Sequence, residues 1–251
     1  MEQFPRFASI KMELNSGLGR LILSRPERGN ALSPIMVQEL SQGLAALISA
    51  GALGVAFMGE GRHFCTGFDL SDVDECSDGD LLLRFIEIEE FLQSVYEAKL
   101  TTIAVGKGRV VGAGADLFAA CDRRIAIEGS TFSFPGAGFG LVLGTARLQS
   151  RVGRDNARRI VTLGEVLSAE DAQSIRLTTD VEKEESVEGI VTGIVDRLQL
   201  LGGTTLAAVN CATSSSNKDT QLASLVRSAA LPGLRDRILS YKARVTAKQK
   251  T

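Results

Sequence analysis

Apolar and polar positions follow two different periods near the start of the chain. Residues 8–24 contain two segments with strand-like character, SIKMEL and LGRLILS, joined by Asn15-Ser-Gly. This arrangement predicts that the chain opens with a β-hairpin. Ser33 followed by Pro34 then predicts a helix start, and apolar residues at helical spacing carry that helix to Gly51.

The middle of the chain alternates between strand-like and helical patterns. The continuous apolar run LGVAFMG at 53–59 predicts a strand that is buried on both faces. Helical periodicity over 81–98 and the β-branched run at 101–106 complete a strand–helix–strand unit, which predicts a right-handed parallel crossover. Further elements are predicted as a buried helix at 117–121, a strand at 123–127, a helical stretch at 146–163 and a capped helix that begins at Ser168.

The last quarter of the chain reads almost entirely as helix. The polar run at 180–186 is the best candidate for a linker. Helices are predicted after it at 187–201, 203–212, 217–230 and 233–248, with a break at the serine-rich residues 214–217. We therefore expect an α/β core in residues 1–186 and a helical region in residues 187–251.

Composition and charge narrow the classes of partner. The 251-residue chain has a net charge of −2, which provides no general basic field for nucleic acid or an anionic membrane. It contains no run of about 18 apolar residues and no leader-like start, so we expect a soluble, cytoplasmic protein without nucleic-acid or membrane partners. A phosphate-bearing ligand would have to be held by local groups.

The cysteines and the histidine offer little independent chemistry. Cys65, Cys76, Cys121 and Cys211 are too widely spaced for a zinc motif, so we expect reduced thiols and no metal. His63 is the only histidine, and Cys65 stands two residues away. A Cys/His catalytic pair is therefore possible on paper, although neighbours within one loop rarely form such a pair.

Two glycine-rich loops carry the strongest chemical signal. Gly112-Ala-Gly-Ala-Asp-Leu117 nearly matches the dinucleotide fingerprint, but Leu117 replaces the last small residue. A phosphate-binding P-loop is excluded because Gly106-Lys is followed by another glycine. The first loop does supply a helix N-terminus with free peptide N–H groups. With a second loop at 59–70, it predicts two N–H donors that together form an oxyanion hole.

Several motifs in the same order resemble one known family. They are RPERGNALS at 25–33, GRHFCTGFDL at 61–70, IAVGKGRVVGAGADLFAACDRRIA at 103–126, FSFP followed by GFGL at 132–141, and VGRDNARRIVTLGEVLSAEDA at 152–172. Together these segments resemble the crotonase, or enoyl-CoA hydratase/isomerase, superfamily, over roughly residues 8–175. The resemblance implies an α/β fold, a crotonase-like ββα superhelix with two roughly perpendicular sheets. It also implies a C-terminal helical region that covers the site and builds a homotrimer or hexamer.

The resemblance also implies a ligand and the residues that hold it. The ligand is an acyl-CoA thioester, with coenzyme A as part of the substrate and no separate cofactor. The backbone N–H groups of Phe68 and Ala113 would stabilise the thioester oxyanion, although the family more often has glycine in place of Ala113. The residues expected around the CoA moiety are Arg28, Ala31, Cys65, Thr66, Gly67, Asp69, Leu70 and Gly112. Lys242 and Lys248 are further candidates for its phosphates; a solvated surface role for these basic residues remains open.

Two positions decide which reaction is expected. Hydratases of this family use two glutamates, and here Asp116 stands at the first position and Gly136 at the second. The segment after Gly136 is also two or three residues shorter than in standard hydratases, and the glycines suggest a wider acyl pocket. Asp116 is either an acid/base or a structural, substrate-positioning carboxylate in the first turn of a helix. We therefore expect an isomerase-like enzyme or weak hydratase, with a catalytically silent acyl-CoA-binding protein as the alternative.

Overall fold

The computed structural model describes residues 5–213 and 218–248. The strands are β1 Ile10–Asn15, β2 Leu18–Leu23, β3 Gly54–Gly59, β4 Thr101–Gly106, β5 Arg109–Val111, β6 Arg123–Ile127, β7 Thr131–Ser133, β8 Val166–Ser168 and β9 Asp180–Glu182. The helices are α1 Pro34–Ser49, α2 Asp78–Tyr96, α3 Ala113–Ala120, α4 Thr145–Val152, α5 Arg154–Leu163, α6 Ala169–Ser174, α7 Val187–Leu201, α8 Gly203–Thr213, α9 Lys218–Ala229 and α10 Leu234–Lys248.

The strands form two sheets, in agreement with the predicted α/β class. The larger sheet has the order β1-β2-β3-β4-β6-β9, and the smaller has the order β5-β7-β8. Only the β1–β2 hairpin of the larger sheet is antiparallel. Its turn places Ser16 at φ 49° and Gly17 at φ 80°, the left-handed geometry that suits a tight hairpin.

The predicted helix starts are largely confirmed. The Ser33 hydroxyl accepts a hydrogen bond from the Met36 N–H and caps α1, with Pro34 as its first residue. Helix α2 begins three residues earlier than the predicted boundary at residue 81. The reason is a capping box, in which Ser77 and Asp80 each bond the other's backbone N–H.

Strand β3 is buried on both faces, as its continuous apolar run predicted. Its residues Val55 and Phe57 belong to the main core, into which α1 and α2 pack. The intervening Ala56 belongs to a second cluster on the opposite face, where Val191 and Val195 of α7 cover the sheet. The alternation follows from the two-residue period of a strand.

Two predictions about local structure are wrong. Residues 180–186 are not a linker, because β9 pairs with β6 and extends the larger sheet. Helix α3 begins at Ala113, four residues before the predicted start, because the glycine loop itself enters the helix. The stretch at 146–163 is helical as predicted, and Gly153, with φ 78° and ψ 165°, divides it into two helices. The division into two regions at residue 186 stays a prediction, and the break at 214–217 lies outside the described residues.

Helix α10 is held across the molecule by the first residue of α2. The Asp78 carboxylate accepts hydrogen bonds from the N–H groups of Gly233, Leu234 and Arg235, at 2.8–3.2 Å. A carboxylate at a helix N-terminus is favoured by the helix dipole. Across the two described ranges, no helix combines the length and the apolar character that crossing a membrane requires.

Candidate active site

The two glycine-rich loops lie directly against each other. The Val111 N–H donates to the Cys65 carbonyl at 3.0 Å, which joins the loops through backbone groups. Gly67 has φ +96°, and a Cβ built on it would lie 2.8 Å from the Val111 oxygen and 3.4 Å from the Ala113 nitrogen. A Cβ on Gly114 would lie only 2.6 Å from the Cys65 oxygen. Glycine is therefore required at both positions for this close approach.

The backbone around Phe68 leaves its N–H without a hydrogen-bond partner among the described residues. The Leu32 N–H donates to the Gly67 carbonyl at 2.8 Å, and the Asp69 N–H donates to the Leu32 carbonyl at 3.1 Å. Successive amides of an extended segment point in opposite directions, so the Phe68 N–H faces away from Leu32. In the described part of the chain, no acceptor takes a hydrogen bond from it.

The Ala113 N–H is free for a different reason. Ala113 is the first residue of α3, and the first hydrogen bond of that helix runs from the Asp116 N–H to the Gly112 carbonyl. The N–H groups of a first helical turn have no partner inside the helix and carry its positive dipole end. Gly112 makes the sharp entry possible, with φ 55° and ψ −127°. Among the described residues, none accepts a hydrogen bond from the Ala113 N–H.

Both loops open onto one cavity of about 170 Å³. Its walls are mainly aromatic and aliphatic, and α10 contributes Tyr241 and Val245 to them. The aromatic residues that line the cavity are Phe68, Phe85, Phe134, Phe139 and Tyr241. A concave, mostly apolar site with a few convergent polar groups is typical of a small-molecule pocket.

Asp116 supplies a buried carboxyl group to this cavity. Its side chain is only 5% exposed, and its Oδ1 atom has no hydrogen-bond partner in the described structure. Burial raises the pKa of Asp116 well above its ordinary value; the charge of Glu89 adds to this effect, and that of Arg147 opposes it. Gly144 packs on the carboxyl so closely that a Cβ there would lie 2.1 Å from Oδ1.

A buried ion pair between Arg147 and Glu89 acts electrostatically on Asp116. Arg147 of α4 and Glu89 of α2 are each 1% exposed, and two parallel hydrogen bonds of 2.8 and 2.6 Å join them. Gln221 of α9 accepts a further hydrogen bond from Arg147 at 2.7 Å, and Gln93 donates to Glu89 at 3.0 Å. This network fixes α4, and Gly144, the residue directly before α4, packs on Asp116.

Gly136 lines the cavity without filling it. A Cβ built there would meet the Leu141 oxygen at 3.4 Å and the Leu141 Cβ at 3.9 Å, which are ordinary contacts. Its backbone φ is not in the left-handed region, so the position would accept a side chain. Within the described lining of the cavity, Asp116 is the only carboxylate.

The other residues predicted to bind CoA lie around the same loops, and several have structural partners. Thr66 is tied through its N–H and its hydroxyl to the Gly29 carbonyl, at 3.0 and 3.1 Å. Burial opposes ionisation of Asp69, but hydrogen bonds from Ser71 and Arg25 outweigh it and lower the pKa of Asp69. The Asp69 carboxylate therefore holds its own loop, with Arg25 at 2.9 Å.

The remaining predicted ligands differ in exposure. Arg28 is exposed, while Ala31 is 8% exposed and accepts a hydrogen bond from Arg25 through its carbonyl. Leu70 lines the cavity, and its carbonyl accepts a hydrogen bond from Lys242 at 3.1 Å. The side chain of Lys248 lies outside the described structure.

His63 and Cys65 do not form a catalytic pair. His63 Nδ1 accepts a hydrogen bond from the Arg109 N–H at 3.1 Å. Cys65 is fully buried, and burial raises the pKa of its thiol to about 12, so it stays protonated. In the part of the chain that is described, no group of three or more His, Cys, Asp or Glu side chains is placed to hold a metal ion.

Sequence reasoning missed several residues of the cavity. Phe85, Phe139 and Tyr241 come from α2, a short 3-10 helix and α10, and no local pattern distinguishes them from core residues. Gly144 was also missed. Gly144 lies immediately before α4 with a left-handed φ of 63° and packs on Asp116. Nothing in the sequence apart from the Gly-Thr pair indicates this conformation.

Comparisons with known proteins show the family of the chain. The family model described as enoyl-CoA hydratase/isomerase matches residues 13–231, and the chain belongs to this family. A crystal structure of a candidate enoyl-CoA hydratase/isomerase from Bordetella parapertussis superposes with a TM-score of 0.92 at 36% identity, covering 94% of this chain and 98% of that one.

Two curated relatives are more distant. A candidate enoyl-CoA hydratase of Mycobacterium bovis is 33% identical over 153 residues, which cover 60% of this chain and 61% of the relative. A peroxisomal Δ(3,5)-Δ(2,4)-dienoyl-CoA isomerase of Arabidopsis thaliana is 29% identical over 210 residues, 76% of each chain. The chain thus spans less than two thirds of the mycobacterial relative it matches.

Proposed function

We propose that this protein binds an acyl-CoA thioester and stabilises its enolate oxyanion with the Phe68 and Ala113 N–H groups. The observation that carries the proposal is the pair of free amides from two adjoining loops, which open onto one apolar cavity. Any reaction through an enolate places negative charge on the thioester oxygen. One such donor is commonly worth about 2.7–4 kcal/mol of transition-state stabilisation.

Asp116 is the acid/base of the proposed site. Burial raises the pKa of Asp116 well above its ordinary value, and enzymes commonly use a carboxyl group with a raised pKa for general acid–base catalysis. Double-bond isomerisation needs one such group. The Asp116 carboxylate removes a proton from the α-carbon of a β,γ-unsaturated thioester, and the electron pair of that C–H bond shifts onto the thioester oxygen to give the enolate. When the enolate collapses, the α,β double bond forms, the electron pair of the former β,γ double bond takes the proton from Asp116 at the γ-carbon, and the carboxylate is regenerated.

Efficient hydration is the weaker fit. Hydration requires a positioned water and a proton delivered to the α-carbon, and the family's hydratases use two carboxylates for this. Gly136 stands where the second would be, and the described cavity lining contains no carboxylate besides Asp116. Loss of a positioned acid/base commonly costs ~10²–10⁴ in rate, so isomerisation or weak hydration is proposed.

A catalytically silent acyl-CoA-binding protein is the second candidate. It is favoured by the Asp116 Oδ1 atom, which no described group orients by a hydrogen bond. A carboxyl group that is not oriented would still allow tight binding through the two amides. In either version we propose that the exposed Arg28 and the neighbourhood of Leu70 and Lys242 contact the CoA moiety. The homotrimer or hexamer stays a prediction.

Turnover of an enoyl-CoA panel separates the two candidates. We expect wild type to isomerise at least one 3-enoyl-CoA, and Asp116→Asn to lose at least ~10²-fold in kcat while binding the saturated analogue with unchanged Kd. Unchanged Kd shows that the variant is folded. Tight binding without turnover by wild type would establish the silent version, and absence of both binding and turnover would refute the proposed function.

A further inference from the structure

Four aromatic rings form a continuous row along the cavity. Phe68 stacks on Phe85 with ring centroids 4.4 Å apart and planes inclined by 23°. Phe85 is 6.4 Å from Phe139, and Phe139 is 5.2 Å from Tyr241. The row therefore runs from the residue that carries one oxyanion N–H to the helix that covers the cavity.

The row is built from separate parts of the chain. Phe68 follows the first glycine loop, Phe85 lies in α2, Phe139 ends the short 3-10 helix Pro135–Phe139, and Tyr241 lies in α10. Gly138 permits the last contact, because a Cβ there would lie 3.3 Å from the Tyr241 ring. All four residues line the same cavity. Phe85 is 1% exposed, so it contributes mainly by supporting the Phe68 ring on which it stacks.

The size of the cavity matches one ring better than a long chain. Its volume is about 170 Å³, and an apolar protein cavity of about 150 Å³ holds one benzene molecule. An acyl group with one six-membered ring and a two- or three-carbon link to the thioester fits this volume. Tyr241 and Val245 of α10 contribute to the walls of this cavity together with the glycine loops.

We propose that the acyl group recognised by this site is a flat aryl group, about one ring in size, that packs against the row Phe68–Phe85–Phe139–Tyr241. This inference rests on the proposed function, because the amides of Phe68 and Ala113 fix where the thioester lies. Aromatic pairs prefer edge-to-face or offset contacts. Each such contact with a ligand ring adds roughly 2- to 12-fold in affinity beyond the burial of equal apolar area.

The test compares two saturated thioesters with the same number of carbons. The probes are 3-phenylpropanoyl-CoA and nonanoyl-CoA, with free CoA as the reference, and calorimetry gives each Kd. We expect the aryl thioester to bind at least ~5-fold more tightly than the straight-chain one. Because both probes lack a double bond, turnover does not interfere with the measurement.

Variants at two positions of the row show whether the rings cause the preference. Phe139→Leu and Tyr241→Leu keep an apolar side chain and remove a ring, so each should reduce the aryl-to-alkyl affinity ratio by roughly 2- to 12-fold. Tyr241→Phe keeps the ring and should keep the ratio. Since the ratio is taken on one protein, a general loss of folded material does not change it.

The outcomes separate this inference from the proposed function. If nonanoyl-CoA binds as tightly as the aryl thioester, or if ring removal leaves the ratio unchanged, the aryl proposal is wrong while acyl-CoA binding stands. If neither thioester binds more tightly than free CoA, both the aryl proposal and the proposed function fail.

Discussion

Replacing Gly144 by alanine tests the contact that holds the carboxyl group of the site. Gly144 has φ +63°, and a Cβ there would lie 2.1 Å from Asp116 Oδ1 and 2.6 Å from its Cγ. Gly164, which ends α5, also has φ +63°, but a Cβ there would meet nothing within 4 Å. Gly164→Ala is therefore a matched control, because both variants place a Cβ on a residue with the same positive φ and only one displaces Asp116.

The expected free energies follow from these contacts. The left-handed conformation of a non-glycine residue costs about 1–2 kcal/mol, so Gly164→Ala should lower the free energy of unfolding by about that amount. Gly144→Ala carries the same strain and in addition an overpacking cost of about 1–3 kcal/mol. Its carboxyl group has to move to relieve the overlap, and a displacement near 1 Å can lower the rate of turnover by ~10².

Urea unfolding and steady-state kinetics on both variants measure the two effects. We expect Gly144→Ala to be less stable than Gly164→Ala by about 1–3 kcal/mol and to lose most of its kcat, while Gly164→Ala keeps wild-type kcat. Equal stabilities and equal kcat values for the two variants would show that the Gly144–Asp116 contact has no part in the site.

Three further predictions concern charge. Burial raises the pKa of Asp116 in the folded state well above its ordinary value of 3.8. The free energy of unfolding of the wild type should therefore fall as the pH rises from about 3.8 through the folded-state pKa. Asp116→Asn cannot ionise, and its stability relative to wild type should rise with pH over that window in urea unfolding; a constant difference contradicts the burial argument. Glu89→Gln leaves the buried Arg147 without a counter-ion and should cost about 3–5 kcal/mol in the same assay, whereas Lys11→Met at an exposed pair should change little. A smaller loss for Glu89→Gln would mean that water reaches the pair. Gly136→Glu supplies the missing carboxylate and should increase the rate of enoyl-CoA hydration, by up to the ~10²–10⁴-fold that a positioned acid/base commonly contributes. Gly136→Gln, which has the same shape as the glutamate but no charge, should not increase this rate. Equal rates for those two variants would rule out a second carboxylate role at this position.

Much of the fold could be predicted from local sequence patterns, because single turn and cap residues define where strands and helices begin and end. The hairpin turn at Ser16 and Gly17 and the Ser33–Pro34 start of α1 appear in the structure where the sequence predicted them. The failures occur where long-range pairing decides the outcome. The acidic strand Asp180–Glu182 has polar residues typical of a linker, and only its partner β6 makes it a strand.

The site could be predicted in part for the same reason. Positions such as Gly67 and Gly112 are constrained locally by left-handed backbone geometry, so their motif is visible in the sequence. The aromatic row joins residues as far apart in the sequence as Phe68 and Tyr241. The position of a single aromatic residue in the sequence does not predict which other ring it will contact in the fold. The free Asp116 carboxyl is likewise a product of packing by α4, which no local pattern predicts.

A crystal structure of the protein with a saturated acyl-CoA bound tests the central claim most directly. The two amides have no other hydrogen-bond partner in the described chain, so the thioester oxygen should lie about 2.7–3.1 Å from both the Phe68 and Ala113 nitrogens. A thioester oxygen that lies beyond hydrogen-bond distance of either nitrogen, with the acyl group seated in the cavity, would contradict the account.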